Sequence, residues 1–274
     1  MKKISRRSFL AAAGLSVAAL ALTACGGSSA STASSVASSA ASTSAAAGEL
    51  TTVEAGKLTM ATNATFPPYE MTTDAGEFEG IDIETAQAIA DKLGLELQID
   101  DMDFDAALLS VQQGKADIVM AGVTVTDERK AVMDFSDSYA TGIQSIIVPE
   151  GSDIASPDDL AGKKIGTQRG TTGYIYCTDD FGEDAVVAYD SGLTAVQALN
   201  NGQVDAVVID NAPAQEFVAA NPGLKILDTS YAEEDYAIGM AKGSSLEDAV
   251  NAALEELKAD GTLQAIVDKY ITAE

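Results

Sequence analysis

The chain has 274 residues, with 42 acidic and 16 basic side chains and a formal net charge of −26. So negative a balance argues against binding to nucleic acid and against electrostatic attraction to anionic lipid. The sequence contains no histidine, which excludes Ser-His-Asp and Cys-His catalysis and histidine-ligated metal ions. We predict neither a metal site nor a cofactor.

Residues 1–24 have the composition of an export signal. Four basic residues precede an apolar stretch over 9–22, which is short for a transmembrane helix, and Leu22-Thr23-Ala24-Cys25 follows. This order resembles a lipoprotein signal, so we expect Cys25 to be the acylated first residue of the mature chain. Because Ser5-Arg6-Arg7-Ser8-Phe9-Leu10 also resembles a twin-arginine motif, that route and the general secretory route both stay open. Either route would place the protein outside the cell membrane, anchored by lipid to its outer face, which is the periplasmic side if the host has an outer membrane.

Residues 25–50 predict a flexible tether. Between Gly26 and Gly48 the chain is almost wholly Ser, Ala, Gly and Thr, and only Val36 could contribute to a core. A tether of this kind spans about 5–6 Å × √n, or roughly 25–30 Å here. Such a reach suits a protein that docks on a membrane partner.

The remaining chain alternates between strand-like and helix-like segments. The pattern predicts strands over 58–61, 95–99 and 117–121, and helices over 82–93, 105–113 and 127–133. Extended apolar runs over 142–148 and 236–241 enclose a second series, with strands over 164–167, 185–188 and 225–227, and helices over 246–260 and 263–270 end the chain. This alternation indicates two α/β lobes joined by a two-strand hinge. One lobe would comprise 51–140 plus 237–274, and the other 141–236.

The segment 121–129 carries the strongest signal for a binding site. It follows a predicted buried strand and ends at Arg129, so free backbone N–H groups, a hydroxyl and a guanidinium come together at one strand end. A guanidinium can hold a carboxylate through two parallel charge-assisted hydrogen bonds, each worth roughly 1.5–3 kcal/mol. We interpret the segment as a carboxylate-binding site. The alternative is an ordinary arginine in the first turn of a helix that begins near Thr126.

One structural unit occurs twice in the sequence. Residues 107–120 and 195–208 each combine a helix pattern, a glycine and a short apolar run. Gly114 and Gly202 occupy the position where a helix end needs a left-handed residue. In this register Gly122 corresponds to Asp210, so one copy opens into the arginine loop and the other ends on a carboxylate. If the lobes face each other, a cation and an anion project into one cleft, which complements a free α-amino acid.

A weaker similarity joins two strand ends. Met60-Ala61-Thr62-Asn63 resembles Ile165-Gly166-Thr167-Gln168, and each segment ends on a side-chain amide. Ligands of open α/β sheets bind beyond the carboxyl ends of the strands, so both amides are expected to face the cleft. The alternative is that polar residues simply terminate these strands.

Five segments resemble the polar amino-acid-binding proteins of ABC importers, the extracellular solute-binding proteins of family 3. They are Gly80-Ile81-Asp82-Ile83-Glu84, residues 121–129, Asp134-Phe135-Ser136-Asp137-Ser138-Tyr139, Gly170-Thr171-Thr172 and Asp260-Gly261-Thr262. The resemblance extends over nearly all of residues 56–271. It implies the α/β periplasmic-binding-protein type II fold and the function of an importer's substrate-binding lipoprotein. The implied partners are a free L-amino acid, permease subunits with a cytoplasmic ATPase, and the membrane through the lipid anchor, and we expect a monomer.

The resemblance also implies roles for individual residues. The ligand carboxylate would be held by Arg129 and by the backbone N–H groups of Thr124 and Thr172. The carbonyl of Gly122 and the carboxylate of Asp210 would take the ligand ammonium. No residue is given a catalytic role.

Four further positions would line the same cleft. Phe66 and Phe104 match the aromatic positions that enclose the ligand side chain, although aromatic residues on loops also fill cores. Ala121 and Thr171 complete the set of expected ligand-binding residues.

Asn63 and Gln168 are the positions expected to select the ligand side chain. Neither supplies a buried negative charge, so a cationic side chain would be poorly compensated. We therefore expect a neutral polar amino acid such as glutamine, asparagine or cystine. Glu70 is a nearby acid that could reverse this preference.

Two other functions remain open from the sequence. Some proteins of this fold resemble cyclohexadienyl dehydratases, in which a carboxyl group acts as general acid, and Asp210 is the cleft acid that could serve. Its expected contact with an ammonium group competes with that role. A non-transport amino-acid sensor would differ from an importer subunit only in its partner.

Overall fold

The computed structural model describes residues 50–271. The expected signal, the acylated Cys25 and nearly all of the expected tether lie outside the described residues. Residues 50–271 contain no helix with the length and apolar character needed to span a bilayer.

The described residues form fourteen strands and eight α-helices. The strands are β1 (Lys57–Thr62), β2 (Thr65–Phe66), β3 (Glu70–Thr72), β4 (Phe78–Glu79), β5 (Glu96–Asp101), β6 (Ile118–Val119), β7 (Met133–Phe135), β8 (Ala140–Pro149), β9 (Ile165–Gln168), β10 (Val186–Tyr189), β11 (Ala206–Asp210), β12 (Leu224–Ile226), β13 (Ala232–Tyr236) and β14 (Gly239–Ala241). The helices are α1 (Ile81–Leu93), α2 (Phe104–Gln112), α3 (Asp127–Lys130), α4 (Thr172–Phe181), α5 (Gly192–Asn200), α6 (Asn211–Ala220), α7 (Glu247–Ala259) and α8 (Thr262–Tyr270).

The first sheet has the strand order β5-β1-β6-β14-β7. Strands β5, β1 and β6 are parallel, whereas β14 runs antiparallel to both β6 and β7. Strand β1 is buried at five of its six positions, as expected for a strand covered on both faces. Helices α1, α7 and α8 pack together and contribute Ile89, Leu254 and Ile266 to one core cluster. Helix α2 contributes Ala107 and Val111 to another.

The second sheet has the order β10-β9-β11-β8-β12, and β13 also pairs with β8. Strands β10, β9 and β11 are parallel, and β8 is antiparallel to β11, β12 and β13. Helices α5 and α6 contribute Val196 and Phe217 to one core cluster, while α4 contributes Cys177 to a second.

Two chain crossings connect the sheets. Strand β8 enters the second sheet at Ala140, and β13 pairs with it in the reverse direction, with Tyr236 opposite Ala140. The backbone N–H of Ala237 then donates to the carbonyl of Val123 at 3.1 Å, which brings the chain back to the first sheet at β14. The two crossings lie side by side and antiparallel.

The repeated unit predicted from the sequence is present in both sheets. Gly114 follows α2 with φ 65°, and Gly202 follows α5 with φ 68°. Both glycines adopt the left-handed conformation that ends a helix, and each leads into a buried strand, β6 or β11.

Three differences between the predicted and the observed elements bear on the architecture. The helix expected over 127–133 ends at Lys130, because Met133 pairs with Ala241 and begins β7. The run 236–241 contains the end of β13 and all of β14, which belong to different sheets. Helix α6 was not predicted. It contains Pro213 in its first turn, where a missing N–H costs no intrahelical hydrogen bond.

Candidate functional site

A pocket lies where ends of both sheets meet. All the residues predicted to bind ligand line it: Asn63, Phe66, Phe104, Ala121, Gly122, Thr124, Arg129, Gln168, Thr171, Thr172 and Asp210. Five residues outside that prediction line it too: Glu70, Gln144, Val208, Ile209 and Tyr236.

Arg129 is held in place by helix α3 and by backbone carbonyl groups. The side chain of Thr126 caps α3 by accepting from the backbone N–H of Arg129 at 3.2 Å. The guanidinium donates from Nη1 to the carbonyl of Thr124 at 2.8 Å and from Nη2 to the carbonyl of Gly170 at 3.2 Å. The central carbon of the guanidinium, Cζ, lies 5.4 Å from the ring centroid of Phe104. These partners are uncharged, so they orient the guanidinium without neutralising it.

The electrostatics around Arg129 favour an anion. The residue is only 8% exposed, and burial lowers the pKa of its guanidinium, an effect opposed by the nearby charge of Glu234. The start of helix α4 faces the same region, because the hydroxyl of Thr172 lies 3.4 Å from that of Thr124. Unpaired N–H groups at a helix start and a buried guanidinium together form a site suited to a carboxylate.

Asp210 provides a carboxylate to the same pocket. It caps helix α6 by accepting from the N–H of Ala212 at 3.0 Å, and it also accepts from the N–H of Ile143 at 2.7 Å. Burial raises the pKa of Asp210 to about 6, while these N–H groups act in the opposite direction. Each carboxylate oxygen retains a further lone pair that can accept from a ligand.

Gly122 occupies a position that only glycine fits. Its φ is +55°, and a Cβ atom would lie 2.9 Å from the ring of Phe66. Its N–H donates to a carboxylate oxygen of Asp82 at 3.0 Å. The hydrogen bond to Asp82, in the first turn of helix α1, therefore holds the loop between β6 and α3 in place.

Asn63 and Gln168 meet across the pocket. The amide nitrogen of Gln168 donates to the side-chain oxygen of Asn63 at 2.9 Å, and the amide nitrogen of Asn63 donates to the carbonyl of Met102 at 2.8 Å. Asn63 directly follows β1, and Gln168 is the last residue of β9. The sequence similarity between these strand ends thus corresponds to two buried amides that contact each other.

Glu70 is the most consequential residue that the predicted set omitted. It begins β3 opposite Phe66, is fully buried, and neither carboxyl oxygen has a hydrogen-bond partner among the described residues. Burial, and then the charge of Asp82, raise the pKa of Glu70 well above its usual range. The structure therefore places in the pocket lining the acid that the sequence analysis named as able to reverse the preference for a neutral ligand.

Glu234 forms hydrogen bonds that link the two crossing strands to Thr124, beside the guanidinium of Arg129. One of its oxygens accepts from the hydroxyl of Thr124 and from the amide of Gln144, both at 3.0 Å. Gln144 and Tyr236, which line the pocket, belong to the crossing strands β8 and β13. A polar residue inside the apolar run 142–148 was the sequence signal that could have identified Gln144.

Comparison with known proteins identifies the family. A model of the bacterial extracellular solute-binding proteins, family 3, matches residues 58–273. The L-cystine-binding protein TcyJ of Escherichia coli (strain K12) is 34% identical over 226 residues, which cover 81% of this chain and 85% of TcyJ. The structure of an ancestral arginine-binding protein bound to glutamine matches with a TM-score of 0.76 at 43% identity, over 80% of this chain and 99% of that one. An ancestral arginine-binding protein bound to arginine matches with a TM-score of 0.75 at 43% identity, over 79% and 98%.

These similarities decide between the classes of function considered from the sequence. The solved neighbours confirm the α/β periplasmic-binding-protein type II fold. The curated relatives are amino-acid-binding proteins rather than enzymes, and some of them are named as ABC transporter proteins, so the dehydratase-like alternative is wrong. Because the family model covers nearly all the residues that the structure describes, the chain belongs to the bacterial extracellular solute-binding proteins, family 3.

Proposed function

We propose that this protein is the substrate-binding lipoprotein of an ABC importer and captures a free L-amino acid between two lobes. The lobes are residues 51–140 plus 237–274 and residues 141–236. The observation that carries the proposal is that a buried cation and a buried anion line one pocket. The cation is Arg129, on helix α3 between strands β6 and β7 of the first sheet, and the anion is Asp210, the last residue of strand β11 of the second sheet.

The charges of the pocket match the two charged groups of an α-amino acid. Arg129 takes the ligand carboxylate together with the backbone N–H groups of Thr124 and Thr172, and the carbonyl of Gly122 joins Asp210 in holding the ammonium. Such contacts link one lobe to the other through the ligand. They stabilise the arrangement in which the lobes are closed on the ligand, because in the open arrangement the ligand contacts only one lobe.

The ligand side chain extends toward Asn63, Gln168 and Glu70, enclosed by Phe66 and Phe104. The amide groups suit a neutral polar side chain such as that of glutamine or one half of cystine, as expected from the sequence. Glu70 adds a carboxyl group without a partner among the described residues, and this group can also accept hydrogen bonds from a cationic side chain. The structures of ancestral arginine-binding proteins, one bound to glutamine and the other to arginine, support both ligand charges on this fold.

Acylated Cys25 anchors the monomeric protein to the outer face of the membrane. The tether over 25–50 lets the body reach the permease subunits, which recognise the closed form and work with a cytoplasmic ATPase. The Ser-rich and Ala-rich composition of the tether supports this reach.

A thermal-shift screen of the mature chain against the proteinogenic amino acids and cystine tests the proposal. A ligand at 100 times its Kd adds about 2.7 kcal/mol of apparent stability. We expect stabilisation by one or a few amino acids, and its loss in Arg129→Ala and Asp210→Ala. Arg169→Ala is the matched control, because Arg169 lies next to Gln168 but is exposed. Unchanged affinity in either pocket variant would refute the assignment of the two charged groups.

A further inference from the structure

Two buried carboxyl groups, those of Glu70 and Asp82, belong to neighbouring segments, because the backbone N–H of Asp82 donates to the carbonyl of Tyr69 at 2.8 Å. Glu70, on β3, lines the pocket, and Asp82, in the first turn of α1, lies behind it. Both residues are 0% exposed. One oxygen of Asp82 accepts from the N–H of Gly122 at 3.0 Å and from the hydroxyl of Tyr139 at 2.8 Å. The other oxygen of Asp82 and both oxygens of Glu70 have no partner among the described residues.

Two adjacent carboxyl groups without a counterion do not both ionise, because each charge raises the cost of the other. Asp82 is the member with hydrogen-bond donors, and burial raises its pKa only to about 6. Glu70 accepts from no donor group of the described residues, and burial together with the charge of Asp82 keeps its pKa well above the usual range. The negative charge is therefore located mainly on Asp82 and the proton mainly on Glu70, the group that faces the pocket.

Within residues 50–271, the surroundings of this pair supply no compensating cation. The titratable groups that face it from neighbouring elements are Asp101 at the end of β5, Asp210 at the end of β11, and the hydroxyls of Tyr69 and Tyr139. Arg129 is the basic residue among those that line the pocket in the described chain, and its guanidinium is directed to the carbonyls of Thr124 and Gly170. A positive charge that reaches the pair must come from a proton or from the ligand.

We propose that Glu70 and Asp82 share one proton, and that a ligand with a cationic side chain displaces this proton to solvent whereas a ligand with a neutral side chain leaves it in place. The inference rests on the proposed function, since it assumes that the pocket takes amino acids. The total charge of the occupied pocket is the same in both cases, because the ligand cation replaces the proton. One pocket thus accepts neutral and cationic ligands, and pH sets the ratio of their affinities.

Linkage fixes the sign of the pH effect. Where the free pair holds its proton, binding of a cationic ligand releases one proton, so its affinity rises up to tenfold for each unit of increase in pH. Binding of a neutral ligand releases none over the same range, so its affinity stays constant. The ratio of arginine to glutamine affinity therefore rises with pH and levels off once the free pair is ionised.

Isothermal titration calorimetry with L-arginine and L-glutamine, in buffers of different ionisation enthalpy near neutral pH, measures the proton balance. We expect close to one proton released with arginine and none with glutamine. In Glu70→Gln, arginine should bind more weakly and without proton release, and glutamine should likewise bind without proton release. Asp74→Asn is the matched control, because Asp74 is exposed in the loop after β3. Arginine binding without proton release, or release that persists in Glu70→Gln, would overturn the inference.

Infrared spectroscopy of the ligand-free protein detects the shared proton directly. At neutral pH the exposed carboxylates are ionised, so a buried protonated carboxyl gives a separate C=O band. We expect this band in the wild type and its loss in Glu70→Gln. Its absence from the wild type would refute the shared proton whether or not an amino acid binds. If the band is present but no amino acid binds, the proposed function fails, and the proton-dependent selection of ligands that rests on it fails as well.

Discussion

Replacement of Asp82 by asparagine should make the protein's stability less sensitive to pH. Burial raises the pKa of Asp82 from 3.8 to about 6 in the folded protein. The folded state therefore binds the proton more tightly than the unfolded state. The resulting stability is fully present below the unfolded pKa and is lost as pH rises through about 6. A shift of this size corresponds to about 3 kcal/mol in total, of which about 2 kcal/mol is lost between about pH 4.5 and about pH 7.5.

Asparagine keeps the oxygen that accepts from Gly122 and Tyr139 but cannot ionise. Urea unfolding of wild type and Asp82→Asn at the two pH values gives four free energies of unfolding. We expect the variant-minus-wild-type difference to be more positive at about pH 7.5 than at about pH 4.5, by about 2 kcal/mol. The comparison between pH values cancels any constant effect of the substitution. Asp74→Asn, at an exposed position, should show no such change, and an equal difference at both pH values for Asp82→Asn would refute the reasoning.

Three further outcomes follow from the pocket and the anchor. Gly122→Ala places a methyl group 2.9 Å from the Phe66 ring on a backbone with φ +55°, so ligand affinity measured by calorimetry should fall by at least about tenfold; unchanged affinity would contradict the assigned position of this loop. Asn63→Asp keeps the oxygen that accepts from Gln168 and adds a charge, so the ratio of arginine to glutamine affinity should rise, and a constant ratio would remove this position from side-chain selection. Cys25→Ala should move the protein from the membrane fraction to the soluble exported fraction of cells, and retention on membranes would contradict the acylated anchor.

The repeat made the charged parts of the pocket predictable. Parallel strands of the same direction end at one edge of their sheet, so equivalent positions in two copies of a helix-strand unit point to equivalent places. Gly122 and Asp210 correspond in the repeat, and both line the pocket together with Arg129. Local sequence was sufficient here because a glycine that ends a helix, followed by a short apolar strand, is enough to identify the repeated helix-strand unit.

Residues that tertiary contacts bring to the pocket were less predictable. Glu70 belongs to a pairing of only two residues between β2 and β3. So short a pairing leaves no periodic pattern in the sequence from which it could be predicted. Gln144 and Tyr236 face the pocket because β8 and β13 pair side by side, and that pairing joins positions about ninety residues apart. The preference for a neutral ligand was drawn from Asn63 and Gln168, and Glu70 was named only as an acid that could reverse it, because the sequence does not show that the small sheet buries Glu70 in the pocket lining.

The strand order of the first sheet has a consequence for biosynthesis. Its interior strand β14 lies between β6 and β7 but comes from residues 239–241, after the whole second sheet. Helices α7 and α8, which pack on α1, follow later still. While the ribosome is still adding residue 236, the second sheet already has all its strands, whereas the first has a gap between β6 and β7. The first sheet therefore cannot be completed until the carboxyl-terminal segment has been synthesised.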